Sequence, residues 1–292
     1  MIGILGASGY IGEEFTSELI AENVNFRENS RQKHNYDNLE SLINIIHKDD
    51  LSILINCAGY TGKPNVDACE VNKEECYEAN VNLARTIATA CSMTDIKLLH
   101  ISSGCIYTGD NQGRGFTEED QPNFHDNSEI KGSFYSSTKT LGENVISSVW
   151  EKSYIARLRI PFDNQDSPRN YLTKLQKYEK LLEAKNSISH KRDFVKGCVH
   201  LLKSKAKFGI YNIVNSGPVT TSEVAELLKQ RGFLDNYDLL EEKQFYKEVE
   251  AKAPRSNCVL NNDKLINSGF QMRTAKEALG DSLDNWIKET SE

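Results

Sequence analysis

Short apolar runs punctuate the first half of the chain, at residues 2–5, 23–26, 51–56, 97–102 and 154–160. Between them lie longer stretches, 11–21, 39–47, 73–91 and 136–150, in which apolar positions return every three or four residues. An apolar run of strand length suits a sheet buried on both faces, and a 3.6-residue period marks a helix with one face against a core. Strand and helix alternating at this spacing predict βαβ units and a parallel sheet. The expected fold class is α/β, a doubly wound parallel sheet.

Beyond residue 160 the texture changes. Residues 161–169 are polar with two prolines, 171–184 form a Lys- and Glu-rich stretch of helical character, and 191–202 a further helix that leads to a strand-like run at 209–214. From 216 onward the chain reads as short helices and loops, closing with a helix over 274–286. The expected division is a sheet domain of 1–160 plus 191–215 and a smaller lobe of 161–190 plus 216–292.

Composition narrows the function classes. The 292 residues suit one large domain or two closely associated ones. Lys plus Arg number 35 against 42 Asp plus Glu, a net charge of -7 with no long basic run, which disfavours nucleic acid as a partner. No apolar stretch approaches the ~18 residues needed to cross a bilayer. The first residues lack the basic and apolar regions of a signal peptide, so a cytoplasmic protein is expected. The seven cysteines follow neither a Cys-x-x-Cys nor a zinc-finger spacing, so reduced thiols and no metal site are expected.

The first chemical signal is glycine-rich. Gly6-Ala7-Ser8-Gly9-Tyr10-Ile11-Gly12 follows the first predicted strand and opens the first helix. Such a turn brings backbone amides at a helix N-terminus up to a pyrophosphate, which predicts a dinucleotide site. With the second strand ending at 26, Arg27 and Arg31 near its tip favour a 2'-phosphate and hence NADPH, while Glu28 keeps NAD(H) open.

The second signal is catalytic. Tyr135 and Lys139 stand four apart on one helix face, and the strand 97–102 delivers Ser103 to the carboxyl edge of the sheet. A phenol with a pKa of ~10 exchanges protons poorly at neutral pH unless a cation helps, and Lys139 supplies one. Ser103 would hydrogen-bond a carbonyl undergoing reduction.

Together with Asn56-Cys57-Ala58-Gly59 and Asn80, these residues resemble the extended short-chain dehydrogenases/reductases that act on nucleotide sugars, over nearly the whole chain. Gly62 through Glu70, Gly104-Cys105-Ile106-Tyr107, the segments 115–120, 122–124 and 132–135, Ser167 through Lys174 and Ala253-Pro254-Arg255-Ser256-Asn257 are similar to one subgroup. That subgroup comprises the bifunctional 3,5-epimerase/4-reductases of UDP-L-rhamnose synthesis, whose fold is shared with dTDP-4-dehydrorhamnose reductase and GDP-L-fucose synthase.

The resemblance implies an NADPH-dependent enzyme, a homodimer, that converts a UDP-4-keto-6-deoxyhexose to a UDP-6-deoxy-L-hexose such as UDP-L-rhamnose. It implies Ser103, Cys105, Tyr135, Lys139 and Lys174 as catalytic residues, with Cys105 and Lys174 exchanging protons at C3 and C5. For the cofactor it implies Gly6, Ser8, Gly9, Tyr10, Ile11, Gly12, Arg27, Arg31, Cys57, Ala58, Gly59, Asn80, Tyr135, Lys139 and Ile160. For the sugar nucleotide it implies Thr61, Lys63, Asn65, Ser103, Gly104, Cys105, Asn123, Phe124, Arg169, Asn170, Arg255 and Asn257. Read without the resemblance, Cys105 is a small buried hydrophobe and the two arginines are surface ion-pair partners. A 4-reductase alone, the same chemistry on an N-acetylated sugar, and a non-catalytic nucleotide-binding subunit all stay open.

Overall fold

The computed structural model describes residues 1–30, 34–63, 65–126, 128 and 130–287. Six parallel strands build the main sheet: β1 (Ile2–Leu5), β2 (Phe26–Asn29), β3 (Ile53–Asn56), β4 (Lys97–Ser103), β5 (Ser153–Leu158) and β6 (Gly209–Asn212). Their order across the sheet is β2-β1-β3-β4-β5-β6, every neighbouring pair parallel. The order reverses between β1 and β3, and open α/β sheets bind ligands at the carboxyl ends of the strands beside such a reversal.

Each face of the sheet carries its own apolar layer. On one, Ile4 and Ile55 pack with Phe15 and Leu19 of α1 (Gly12–Ala21) and with Phe194 and Val195 of a helix over Lys191–Lys203. On the other, Leu5 and Leu54 meet Leu42 and Ile46 of α2 (Leu39–Lys48) and residues of two longer helices farther along the chain. Neighbouring strand residues thus feed opposite layers, which is why the strands read as unbroken apolar runs. Capping fixes where helices begin: Asn38 accepts the Ser41 amide at the start of α2.

Between β3 and β4 run α3 (Asp67–Val71), α4 (Lys73–Tyr77), one π-helical turn (Glu78–Asn82) and α5 (Leu83–Thr94). Helix α6 (Phe134–Val149) follows β4, with Ser133 accepting the Ser136 amide as its cap. A further core assembles from Phe162, Leu172, Leu175, Leu181, Ile188, Val224, Leu228, Ala278 and Leu279.

Three elements differ from expectation. The second strand begins at Phe26 rather than ending there. The stretch 171–184 splits into α7 (Tyr171–Lys177) and a strand, Lys180–Leu182, that pairs in parallel with Asp238–Leu240. The expected helix over 73–91 is interrupted by the π turn, whose wider winding turns Asn80 inward.

Candidate active site

The glycine loop is tight enough that side chains would not fit. Gly6 has φ +74°, and a Cβ there would lie 2.8 Å from the Ala58 amide nitrogen. A Cβ on Gly12 would lie 2.1 Å from the Gly6 carbonyl oxygen. Gly6 and the Cys57-Ala58 turn therefore meet across the β1/β3 reversal. Asn56 supports that turn by accepting the Ala58 amide at 3.0 Å while its Nδ2 contacts the His100 ring at 2.9 Å. Burial holds His100 well below its usual pKa, so the ring is a neutral structural partner.

The corrected start of β2 moves its tip to Asn29. Arg27 pairs with Gly3 in the middle of the strand and is exposed, so it does not stand at the tip; Arg31 lies outside the described residues. Asn29 is 1% exposed, and among the described residues neither its Oδ1 nor its Nδ2 has a hydrogen-bond partner. A buried amide is normally satisfied, so these atoms fit contact with an adenosine ribose at this place. Asn29 carried no motif and was not among the expected residues. Ser8 and Gly9 are exposed at the loop. Ile11 packs into the core, and Tyr10 turns its ring under Lys191 Nζ, 4.5 Å from the ring centre, with its hydroxyl toward Asp163. Ile11 and Tyr10 therefore shape the loop from within.

Around β4 the expected catalytic groups converge. Asn80 is 2% exposed and clamps three elements: its Oδ1 accepts the Tyr60 amide at 2.9 Å, and its Nδ2 donates to Tyr60 O at 2.9 Å and Thr138 Oγ1 at 3.1 Å. A Cβ on Gly59 would lie 3.1 Å from Asn80 Oδ1 and 4.0 Å from Lys139 Nζ. Lys139 is 7% exposed and donates to Ile101 O at 3.1 Å. Burial pushes its pKa down to about 8, against the opposing pull of Glu143, Cys76 and Cys105. The Tyr135 phenol hydrogen-bonds Ser103, yet burial holds its pKa well above the free value and charge at Cys105 adds to that. The expected lowering by Lys139 is not found: only the Ser103 hydrogen bond pulls the value down, desolvation prevails, and Tyr135 keeps its proton, as a proton donor must.

Cys105 lies on the single 3₁₀ turn Gly104–Ile106, held at both ends. Its amide donates to Ser103 Oγ at 3.2 Å, and its carbonyl accepts from Ser136 Oγ at 2.7 Å. Its Sγ accepts from Arg159 Nη1 at 3.1 Å. Gly104 packs closely under Leu260, where a Cβ would lie 2.6 Å from Cδ1 and displace that side chain. Arg159 was not expected. Next to it Ile160 has φ +40°, a strained setting for a β-branched residue and one that accumulates at functional sites.

The outer residues separate into two groups. Lys174 on α7 is partly buried; desolvation, with Arg169 and Arg255 nearby, lowers its pKa. Arg169 donates to Thr61 Oγ1 at 2.9 Å and Gly62 O at 3.1 Å, which draws the 61–62 loop toward α7. Lys63 is exposed. Others are occupied internally. Asn170 is fully buried, with its Nδ2 on Asp163 and Gln165 and its Oδ1 on the Leu172 amide, so it caps α7 and has no atom left for a sugar. Asn123 bonds both polar backbone groups of Thr108, and Phe124 is buried. Asn65 accepts the Asp67 amide, and Asn257 meets Asn186 at 3.4 Å. Arg255 is forked onto Asp67 at 2.8 and 3.0 Å, which holds its guanidinium in place with two of its five N–H donors.

Behind the site, Arg157 and Glu143 form a fully buried pair. Arg157 Nη2 reaches Glu143 Oε2 at 2.7 Å, Nη1 reaches Tyr107 Oη at 3.0 Å, and Ser102 Oγ donates to Glu143 Oε1 at 2.5 Å. All seven cysteines are free thiols. Among the described residues no cluster of His, Cys, Asp and Glu could hold a metal, and no helix is long and apolar enough to cross a membrane.

Residues 1–287 match the model of the RmlD substrate binding domain. The chain is 32% identical over 285 residues to the bifunctional dTDP-4-dehydrorhamnose 3,5-epimerase/dTDP-4-dehydrorhamnose reductase of Arabidopsis thaliana, covering 94% of this chain and 90% of the relative. A trifunctional UDP-glucose 4,6-dehydratase/UDP-4-keto-6-deoxy-D-glucose 3,5-epimerase/UDP-4-keto-L-rhamnose-reductase of the same plant is 33% identical over 82% of this chain, which spans 36% of that longer protein. In fold the chain is similar to the L780 UDP-rhamnose synthase of Acanthamoeba polyphaga mimivirus, with a TM-score of 0.88 at 22% identity over 97% of this chain and 98% of that one. With the glycine loop, Ser103, Tyr135 and Lys139 assembled at one strand edge, the chain belongs to the RmlD family of extended short-chain dehydrogenases/reductases, NAD(P)-dependent reductases of nucleotide-linked 4-keto-6-deoxyhexoses.

Proposed function

We propose that this chain takes a UDP-4-keto-6-deoxyhexose, inverts its C3 and C5 centres, and reduces C4 to give a UDP-6-deoxy-L-hexose such as UDP-L-rhamnose. NADPH is the proposed reductant, because β2 ends in the neutral Asn29 where an acid would repel a 2'-phosphate. The cofactor supplies hydride to C4. Gly6, Gly9 and Gly12 would hold its pyrophosphate, and Gly59, Asn80 and Lys139 its nicotinamide ribose. The lobe of 161–190 plus 216–292 would receive the sugar nucleotide, with Lys174 and Arg169 nearest the site and the sheet domain of 1–160 plus 191–215 carrying the chemistry.

The protein groups divide the work by acidity. Ser103 and Tyr135 hydrogen-bond O4, stabilising the oxyanion that grows during both enolisation and reduction. Tyr135, whose proton burial retains, gives it to O4 as the alcohol forms. Cys105 removes the proton beside the ketone on one ring face, and Lys174, with a lowered pKa, returns one from the other. A single carbonyl thus serves both reactions.

The observation that carries this reading is the convergence of Ser103, Cys105 and Tyr135, with Cys105 Sγ 3.1 Å from a buried guanidinium. A 4-reductase without epimerase activity is the second reading, favoured by the whole-chain match to a reductase family. Supplying UDP-4-keto-6-deoxyglucose, or separately the already epimerised ketone, with NADPH and identifying the products by mass spectrometry and NMR distinguishes them. The proposal expects one UDP-6-deoxy-L-hexose from both substrates. Turnover of the epimerised ketone alone would leave the reductase.

A further inference from the structure

We infer that Arg159 is the positioning residue for Cys105: its buried guanidinium, 3.1 Å from the sulfur, orients the thiol that acts as the epimerisation base and supplies the charge that faces it. The inference deepens the proposed function and rests on it for the role of Cys105. Its basis is the pairing of buried charges at the carboxyl end of β5. Arg157 and Arg159 lie two apart there, and both are nearly inaccessible, at 2% and 4% exposure. Arg157 has its counter-charge in Glu143. Arg159 forms no ion pair with a carboxylate among the described residues; its Nη2 meets only the neutral Asn186 Oδ1, at 2.7 Å, and Ser256 O.

A buried guanidinium without a counter-charge is costly, and arginine cannot shed its proton to escape. Two thiols lie within reach. Cys258 donates its S–H to Gly104 O at 3.2 Å and is fully buried, and burial raises its pKa, so it stays protonated. Cys105 is the partly exposed one, and its Sγ receives Arg159 Nη1 at 3.1 Å. The remaining contacts aim the guanidinium: Asn186 and Ser256 fix one edge.

The chemistry suits a base that must recover each cycle. The C–H bond beside the ketone breaks, an S–H bond forms on Cys105, and the electron pair moves to O4 as the enolate. Arg159 exchanges no atom; because it never deprotonates, it keeps its charge throughout. A lysine titrating near neutrality would compete for the same proton.

The test is the rate of Cys105 alkylation by iodoacetamide at neutral pH, followed by peptide mass spectrometry, in folded wild type, Arg159→Gln, Arg159→Lys and Asn186→Asp. An opposite charge beside a sulfur favours its nucleophilic form, so Arg159→Gln, which removes that charge, should react roughly three- to fortyfold more slowly. Arg159→Lys should recover part of the rate. Asn186→Asp keeps the shape and the acceptor but adds a competing charge beside the guanidinium, and should also slow alkylation. Loosened packing alone would speed it. Unchanged or faster alkylation in both Arg159→Gln and Asn186→Asp overturns the inference; if Arg159→Gln does not fold, Asn186→Asp decides alone. Slowed alkylation in a protein that exchanges no substrate protons would keep the Arg159–Cys105 coupling and remove only the epimerase role.

Discussion

Replacing Lys139 by methionine should make the protein more stable and inactive. The lysine is 7% exposed, and its pKa falls from 10.5 to about 8 mainly because burial disfavours the ammonium. That drop corresponds to about 3 kcal/mol of folding free energy at ~1.36 kcal/mol per pH unit. Methionine has similar length and no charge, but it forfeits the hydrogen bond to Ile101 O, a contribution of about 1 kcal/mol. The net expectation at pH 7 is a gain of about 2 kcal/mol, or roughly 4–8 °C in melting temperature. The penalty depends on pH in a defined way. Below about 8 the folded lysine is charged and the penalty is complete; between about 8 and 10.5 the unfolded chain binds more protons than the folded one, so the penalty fades as pH rises. Urea unfolding of both proteins at pH 7 and pH 10, without cofactor, should show the advantage of Lys139→Met shrinking, with titration of other groups cancelling in the difference. A variant less stable than wild type at pH 7, or an advantage independent of pH, would refute the reasoning.

Three further outcomes follow from the geometry. Gly12→Ala should abolish binding of the nicotinamide cofactor in calorimetry, because its Cβ would lie 2.1 Å from a backbone oxygen that cannot move without opening the loop. Glu143→Ala should lower stability by roughly 3–5 kcal/mol in urea melts, since it strands the buried Arg157 charge; a loss below about 1 kcal/mol would show that water or another group compensates it. Tyr135→Phe should lower NADPH oxidation by roughly 10²- to 10⁴-fold under single-turnover conditions, because no other positioned proton replaces that of the phenol.

What the sequence made legible was what local spacing encodes. The runs at 2–5 and 97–102, the glycine turn and the Tyr135–Lys139 spacing each lie on one or two adjacent elements, and they appear where expected. The second strand was misplaced because it is an edge strand, Phe26-Arg27-Glu28-Asn29, with only one sheet neighbour and two exposed charged residues; its apolar approach, Val24 to Phe26, looked more like a strand than the strand itself. The Lys180–Leu182 strand was read as helix because its partner, Asp238–Leu240, is remote in sequence. Arg159 was invisible for the same reason. It is 54 residues from Cys105, and only the register that sets Ser103 opposite Leu158 puts its guanidinium beside the thiol. Asn170 sat in a matching motif, yet a motif does not reveal that Asp163 and the start of α7 already occupy its amide, nor that Asp67 would pair with Arg255.

The most direct test of coupled epimerisation and reduction follows UDP-4-keto-6-deoxyglucose by NMR in deuterated water, first with enzyme alone and then with NADPH. The account predicts deuterium at C3 and C5 before any reductant is present, a UDP-6-deoxy-L-hexose once NADPH is added, and loss of the exchange in Cys105→Ala. Oxidation of NADPH with no deuterium at either carbon, or undiminished exchange in Cys105→Ala, would contradict it.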